Sequence, residues 1–226
     1  MIDDRILKII SKDELESIKK LKVLIVGVGG VGGYAFESLV RSGVNNITII
    51  DKDNVDESNL NRQIISLNST IGKCKVDVAL KRAKDIRNDI NIKIINEFLI
   101  TDNINTLLDK DYDYIIDACD TVTTKLDLIR FAQENNINII SCLGTGNRFN
   151  PEELTITTLD KTYNDPLGKV LRKLIKDNKL NKKVTVCWSK ELPVKNQDRT
   201  PGSMAFVPAS AGILIASYII RKTINK

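Results

Sequence analysis

Residues 21–33, LKVLIVGVGGVGG, restrict the fold more than any other stretch of the chain. An apolar run too short for a helix of its own enters a turn with glycines at 27, 29, 30, 32 and 33. VGGYAFESLVRSG then has helical spacing and closes on Gly43. A strand buried on both faces, a glycine turn and a helix form the first half of a βαβ unit. The pattern repeats. ITIID (47–51) is a second buried strand ending on an acid, and KCKVDVALKRAKDIRND (73–89) is a helix with a basic outer face. IKIINEFL (92–99) and YDYIIDACD (112–120) are further strands, TTKLDLIRFAQENN is a helix, and INIISCL (137–143) is a fifth strand reaching a Gly-Thr-Gly turn.

This alternation with short connections predicts an α/β fold: a doubly wound, mainly parallel sheet of the Rossmann-like kind. Ligands of such sheets gather at the carboxyl ends of the strands, so Gly27–Gly33, Asp51, Asp117–Asp120 and Gly144–Gly146 should meet in one crevice. From Pro151 the pattern changes to LTITTLD, a helix beginning at DPLGKVLRKLIK, a strand KVTVCWSKE, a loop PVKNQDRTPGS and a last helix. We read it as an extension that adds antiparallel strands to the same sheet. Residues 1–226 would then be one domain, with a nucleotide-binding core over 1–147 and a substrate-binding extension over 148–226.

The apolar stretch MAFVPASAGILIASYII (204–220) contains Pro208 and ends on Arg221 and Lys222. Its uninterrupted part is too short to span a bilayer, so a core helix starting near Ala209 is the preferred reading and peripheral membrane contact the alternative. The charged N-terminal segment lacks the features of a signal or transit peptide, and a cytoplasmic protein is expected.

Composition removes several chemistries. The 226 residues include no histidine, which excludes schemes with His as base, ligand or nucleophile. Four scattered cysteines form no Cys-x-x-Cys pair, so no zinc ribbon is expected and reduced, mostly buried thiols are. The net charge of +5 is uneven: residues 160–199 hold eleven Lys/Arg against five Asp/Glu. A basic face confined to one region suits a polyanionic partner, and a solvated helix is the alternative.

GVGGVG (27–32) lets backbone amides approach phosphate oxygens at a helix N-terminus, and Asp51 at the end of the next strand is placed to accept both ribose hydroxyls. These features indicate a nucleotide without separating NAD from ATP. The following loop carries Asn59, Arg62 and Gln63, the next helix opens with Lys73 and Lys75, and Asp120 ends the fourth strand. Cations beside a carboxylate able to hold Mg²⁺ are suited to stabilising a triphosphate under attack at phosphorus. Arg62 taken alone is equally compatible with a surface loop.

Together GVGGVG, IIDKDNVDESNLNRQ, GKCK and IIDACD, in order over residues 20–147, resemble the ubiquitin-activating-enzyme-like adenylyltransferases. That resemblance implies ATP and Mg²⁺ as cofactors and the joining of AMP to a carboxylate. It implies nucleotide contacts from Gly27, Gly29, Gly30, Gly32, Asp51 and Asp53, and phosphate contacts from Asn59, Arg62 and Lys75. Gln63 would support Arg62, and Asp120 would position Mg²⁺ and the reacting phosphate, so the catalytic set is Arg62, Lys75 and Asp120. In that superfamily the arginine commonly comes from the other subunit, which implies a homodimer.

The C-terminal third, with LGTGNRFNPEELTITTLDKTYNDPLGKVLRKLIK, VTVCWSKELP and PGSMAFVPASAGILIAS, resembles the tRNA threonylcarbamoyladenosine dehydratase branch. Members act on the modified adenosine next to the anticodon: they activate the carboxylate of its side chain with ATP, and the carbamoyl oxygen of the same side chain then closes a cyclic ester. The expected partner is tRNA carrying threonylcarbamoyladenosine, with Lys169, Arg172, Lys173, Lys176, Lys182 and Lys183 on its phosphates. Adenylation of a sulfur-carrier protein ending in Gly-Gly is the alternative activity, a sulfur-transfer protein partner stays open, and a nicotinamide-dependent oxidoreductase or a non-catalytic nucleotide-binding module is a third reading.

Overall fold

Strand β1 (Lys22–Val26) lies at the centre of a seven-stranded sheet, and the helices pack on both of its faces. The structure, a computed structural model, describes residues 2–195 and 200–226. The remaining strands are β2 (Asn46–Ile50), β3 (Asn91–Ile95), β4 (Tyr114–Asp117), β5 (Asn138–Cys142), β6 (Leu154–Thr158) and β7 (Thr185–Ser189). Their order across the sheet is β3-β2-β1-β4-β5-β7-β6. The chain winds outward from β1 to β3, then returns to β4 on the other side of β1. That reversal opens a crevice at the carboxyl ends of β1 and β4.

Every neighbouring pair is parallel except β6–β7. The extension after Pro151 therefore differs from a purely antiparallel addition. β7 continues the parallel sheet beside β5, and β6 alone runs antiparallel, at the edge.

Alternation along the strands explains why both faces need cover. Val23 and Ile25 pack with α1 (Lys12–Lys20), α2 (Gly32–Arg41), α3 (Lys75–Ile86) and α7 (Phe206–Thr223). Leu24 and Val26 pack on the other side with the short α4 (Ile104–Leu107), α5 (Val122–Glu134) and α6 (Pro166–Asp177). α1 starts on a reciprocal cap, in which Glu14 N donates to Ser11 Oγ and Ser11 N donates to the Glu14 carboxylate.

α7 starts at Phe206, three residues before the position expected from Pro208. Proline is tolerated there because it falls in the first turn, where its missing N–H has no partner within the helix. Gly212 lets α7 lie against the start of α2: a Cβ at that position would come within 2.3 Å of the Val31 carbonyl oxygen. Among the described residues, no helix is long and apolar enough to cross a membrane.

Candidate active site

A cavity of about 1150 Å³ opens at the carboxyl ends of β1, β2, β4 and β5. Its walls bring together the strand ends expected to converge. Gly27, Gly29 and Gly30 line it, with Asp51 and Asp53 from the end of β2 and Asp120 from the end of β4. Gly32 does not line it. A Cβ on Gly32 would lie 1.8 Å from the Gly27 carbonyl oxygen, so this glycine permits the close return of α2 onto the turn rather than a contact with the ligand.

The Asp51 carboxylate is oriented by backbone. Val28 N donates to Oδ2 at 2.8 Å and Asp53 N donates to Oδ1 at 2.9 Å. Beyond it the chain is fastened to the start of α3, since Lys75 N donates to the Asp53 carbonyl and Val55 N to the Lys73 carbonyl. This places the buried Lys75 ammonium 3.1 Å from Asp53 Oδ2 at the cavity wall.

The stretch SNLNRQ forms a short 3-10 turn (Glu57–Asn59) followed by a tight bend. Ser58 N donates to the Asp56 carboxylate, and the Ser58 hydroxyl, with this backbone bond, holds that carboxyl below its usual range. Arg62 N and Gln63 N both donate to the Asn59 carbonyl, so the polar side chains turn towards the cavity, and Asn59, Arg62 and Gln63 all line it. The Arg62 guanidinium donates to Ser58 O at 2.7 Å and to Asn61 Oδ1 at 2.8 Å. Gln63 is buried against Gly29, and its described side-chain hydrogen bond is with Ser66, not with Arg62. Arg62 lines the cavity of its own chain, alongside Asp120 and Lys75.

Two buried ion pairs border the site, and neither was singled out in the sequence. Below the β4 end, Lys125 Nζ lies 3.0 Å from Asp117 Oδ1 and donates to the Cys142 carbonyl at 2.8 Å. Ser141 Oγ donates to the other Asp117 oxygen, and Cys119 N donates to Oδ1. Burial opposes the Lys125 charge, but Asp117 together with the neighbouring Cys119 and Cys142 outweighs it and leaves the ammonium above its ordinary pKa. The pair fixes the strand end from which residues 118–120 leave.

Elsewhere in the cavity wall, Arg148 Nη2 lies 2.9 Å from Asp165 Oδ2, both side chains being buried. Arg148 also donates through Nε to the Gly144 carbonyl and through Nη1 to the Glu191 carbonyl. Asp165 Oδ1 accepts from Gly168 N and so caps α6, with Pro166 in the first turn. The Asp-Pro pair was a legible cap signal. That its partner is Arg148 was not, because the two meet only in the folded chain.

Cys119 and Cys142 line the cavity, while Cys187 is buried within β7. Burial, with the nearby Asp117 carboxylate, pushes the Cys119 thiol well above its ordinary value, and it is protonated at neutral pH.

The basic residues expected to meet tRNA lie outside the cavity wall. Lys169, Lys173 and Lys176 are exposed on α6, and Lys182 and Lys183 are exposed before β7. Arg172 is partly buried and donates to Thr162 Oγ1. Arg199 and Asp198, counted in the same basic segment, lie outside the described residues. Among the described residues, no group of three or more Cys, Asp or Glu side chains could hold a metal ion by itself.

The ThiF family model matches residues 3–226. The tRNA threonylcarbamoyladenosine dehydratase of Bacillus subtilis is 34% identical, over 93% of this chain and 90% of that protein. Two crystal structures of the Escherichia coli tRNA N6-threonylcarbamoyladenosine dehydratase superpose with TM-scores of 0.91 at 31% and 30% identity. Each covers 97% of this chain and 92% of that one; one is a complex with AMP and the other a complex with ATP.

Proposed function

The chain belongs to the ThiF family, and on that premise we propose that it is an ATP-dependent dehydratase of threonylcarbamoyladenosine in tRNA. The observation that carries the reading is the meeting of Asp51, Arg62, Lys75 and Asp120 in one cavity, which the Arg148–Asp165 pair also lines. In the first step the substrate carboxylate attacks the α-phosphorus of ATP and pyrophosphate leaves. The carbamoyl oxygen then attacks the resulting acyl carbon, AMP leaves, and the carbamoyl nitrogen loses its proton. The first half is a ligase-type adenylation, AMP is released in the second, and the net result is loss of water.

Asp51 binds the ribose, and the glycine-turn amides donate to the phosphate oxygens. Arg62 and Lys75 stabilise charge on the leaving pyrophosphate, Lys75 exchanging Asp53 for phosphate as ATP enters. Arginine suits this role because a guanidinium can hold two oxygens at once. Mg²⁺ commonly takes one or two carboxylates and completes its shell with phosphates and water, which fits the exposed carboxylate of Asp120 in the wall. When bound there, it would neutralise phosphate charge. The second step joins two groups of one side chain, so proximity supplies much of its rate. No transfer cysteine is required, in keeping with the protonated state of Cys119 and the burial of Cys187.

The lysines of α6 and of the segment before β7 hold tRNA phosphates without reading sequence. A tRNA substrate sets the reaction in the cytoplasm, and we assign the enzyme as a homodimer of one-domain chains. A sulfur-transfer partner has no part in this scheme because neither step moves sulfur. The test is incubation with ATP, Mg²⁺ and tRNA bearing threonylcarbamoyladenosine, followed by mild mass spectrometry of the nucleosides. ATP-dependent loss of one water supports the scheme. AMP release only with a carrier protein ending in Gly-Gly overturns it.

A further inference from the structure

Tyr163 is 51% exposed, although the residues around it are held firmly. Thr162 and Asp165 are both buried, and Asp165 belongs to the cavity wall. The Tyr163 ring meets Trp188 edge-on, with centroids 4.7 Å apart and planes at 74°. Trp188 Nε1 also donates to the Tyr163 carbonyl at 3.0 Å, and Trp188 is itself buried in β7. The tyrosine is thus backed by a fixed aromatic and open to solvent elsewhere. A ring fixed in this way loses little further freedom when a planar group packs on it.

Its surroundings select the planar group. Thr162 holds the Arg172 guanidinium, and Lys169 is exposed on the first turns of α6. Two residues beyond Tyr163 the chain enters the cavity wall at Asp165. An exposed ring between Thr162, which holds the Arg172 guanidinium, and the segment that joins the cavity wall at Asp165 matches the requirements of a single-stranded nucleic acid, whose bases stack while its phosphates meet Lys and Arg. An apolar protein surface would have no use for the cations.

We infer that Tyr163 is a stacking platform for an unpaired base of the RNA, the nucleotide next to the one whose modified base enters the cavity. This rests on the tRNA dehydratase reading above. The bases of an anticodon loop are unpaired, so one can stack outside while its neighbour is held within.

The experiment uses the full-length protein and substrate tRNA with 2-aminopurine beside the modified adenosine. Fluorescence quenching, tRNA affinity and ATP affinity are measured for wild type, Tyr163→Phe, Tyr163→Leu and Tyr163→Ala. Wild type and Tyr163→Phe should quench and bind alike. Tyr163→Leu keeps apolar bulk against Trp188 but has no aromatic face. It and Tyr163→Ala should lose the quenching and bind tRNA about 5- to 150-fold more weakly, with ATP affinity unchanged. Equal quenching and affinity in all four proteins, while wild type still dehydrates the tRNA, would overturn the stacking role alone, as would a Tyr163→Leu protein that behaves like wild type. A wild type that neither binds nor dehydrates the tRNA would overturn the dehydratase reading and the stacking role with it.

Discussion

Lys125 and Asp117 form an ion pair 3.0 Å apart, with both side chains wholly buried beneath the strand end that leads to Asp120. Asp117 also accepts from Ser141 on β5, so a single carboxylate joins α5, β4 and β5 under the cavity floor. Removing one partner strands the other charge in the interior. Lys125→Met should cost about 3–5 kcal/mol in urea unfolding, and should lower kcat even where the protein remains folded.

The same pair sets a pH dependence. Desolvation opposes the charge, but Asp117 together with Cys119 and Cys142 outweighs it, so the folded pKa of Lys125 lies above its ordinary value of 10.5. Its stabilisation is therefore fully present below about 10.5 and is lost as pH rises through the higher folded value. Urea midpoints of wild type, less those of Lys125→Met, should stay level from neutral pH to the upper nines and narrow only in stronger alkali.

Arg62→Ala should abolish turnover and leave the urea midpoint within about 0.5 kcal/mol of wild type, because its guanidinium is held by one loop only. Arg62 lines the cavity of its own chain together with Asp120. Verified mixed dimers of Arg62→Ala and Asp120→Ala should accordingly show no activity beyond that of the separate variants. Restored turnover would mean that the arginine serves the other subunit.

Cys119 faces the cavity as a protonated thiol. Cys119→Ser should retain turnover to within about tenfold, a change of about 1.4 kcal/mol in barrier. Labelling of Cys119 with iodoacetamide at neutral pH should be slow beside a free thiol. Complete loss of activity with normal ATP binding would restore a covalent role for the sulfur.

Charge reversal at Lys169, Lys173 and Lys176 together should weaken tRNA binding and leave ATP binding unaltered, as these side chains are exposed on α6 outside the cavity wall. If all three meet phosphates, the slope of log affinity against log salt should flatten by about 2 to 3. An unchanged slope would return α6 to a solvated helix.

What the chain declares locally is the alternation of strand and helix, the glycine turn, the acids at the strand ends and the order of the four nucleotide motifs. Those features depend on periodicity and on backbone conformations that few residues accept, and both are legible within a short window. The same window placed the start of α7 too late, because Pro208 reads as a breaker until its place in a first turn is known. It also read the C-terminal strands as antiparallel, whereas β7 pairs parallel with β5, since pairing is a choice between distant segments.

The buried charges lay furthest from view. Lys125 looks like any lysine on a helix, and Arg148 like a loop residue, until folding brings Asp117 to one and Asp165 and Glu191 to the other. By itself the sequence determined the fold class and the residues available to an ATP-driven reaction. Tertiary structure alone decided that Arg62 reaches its own chain's cavity, that Gly32 closes the turn without lining it, and that Tyr163 stands exposed beside the basic helix. The division follows range: propensity and turn chemistry act over a few residues, whereas burial and charge pairing depend on which distant residues the packed sheet sets side by side.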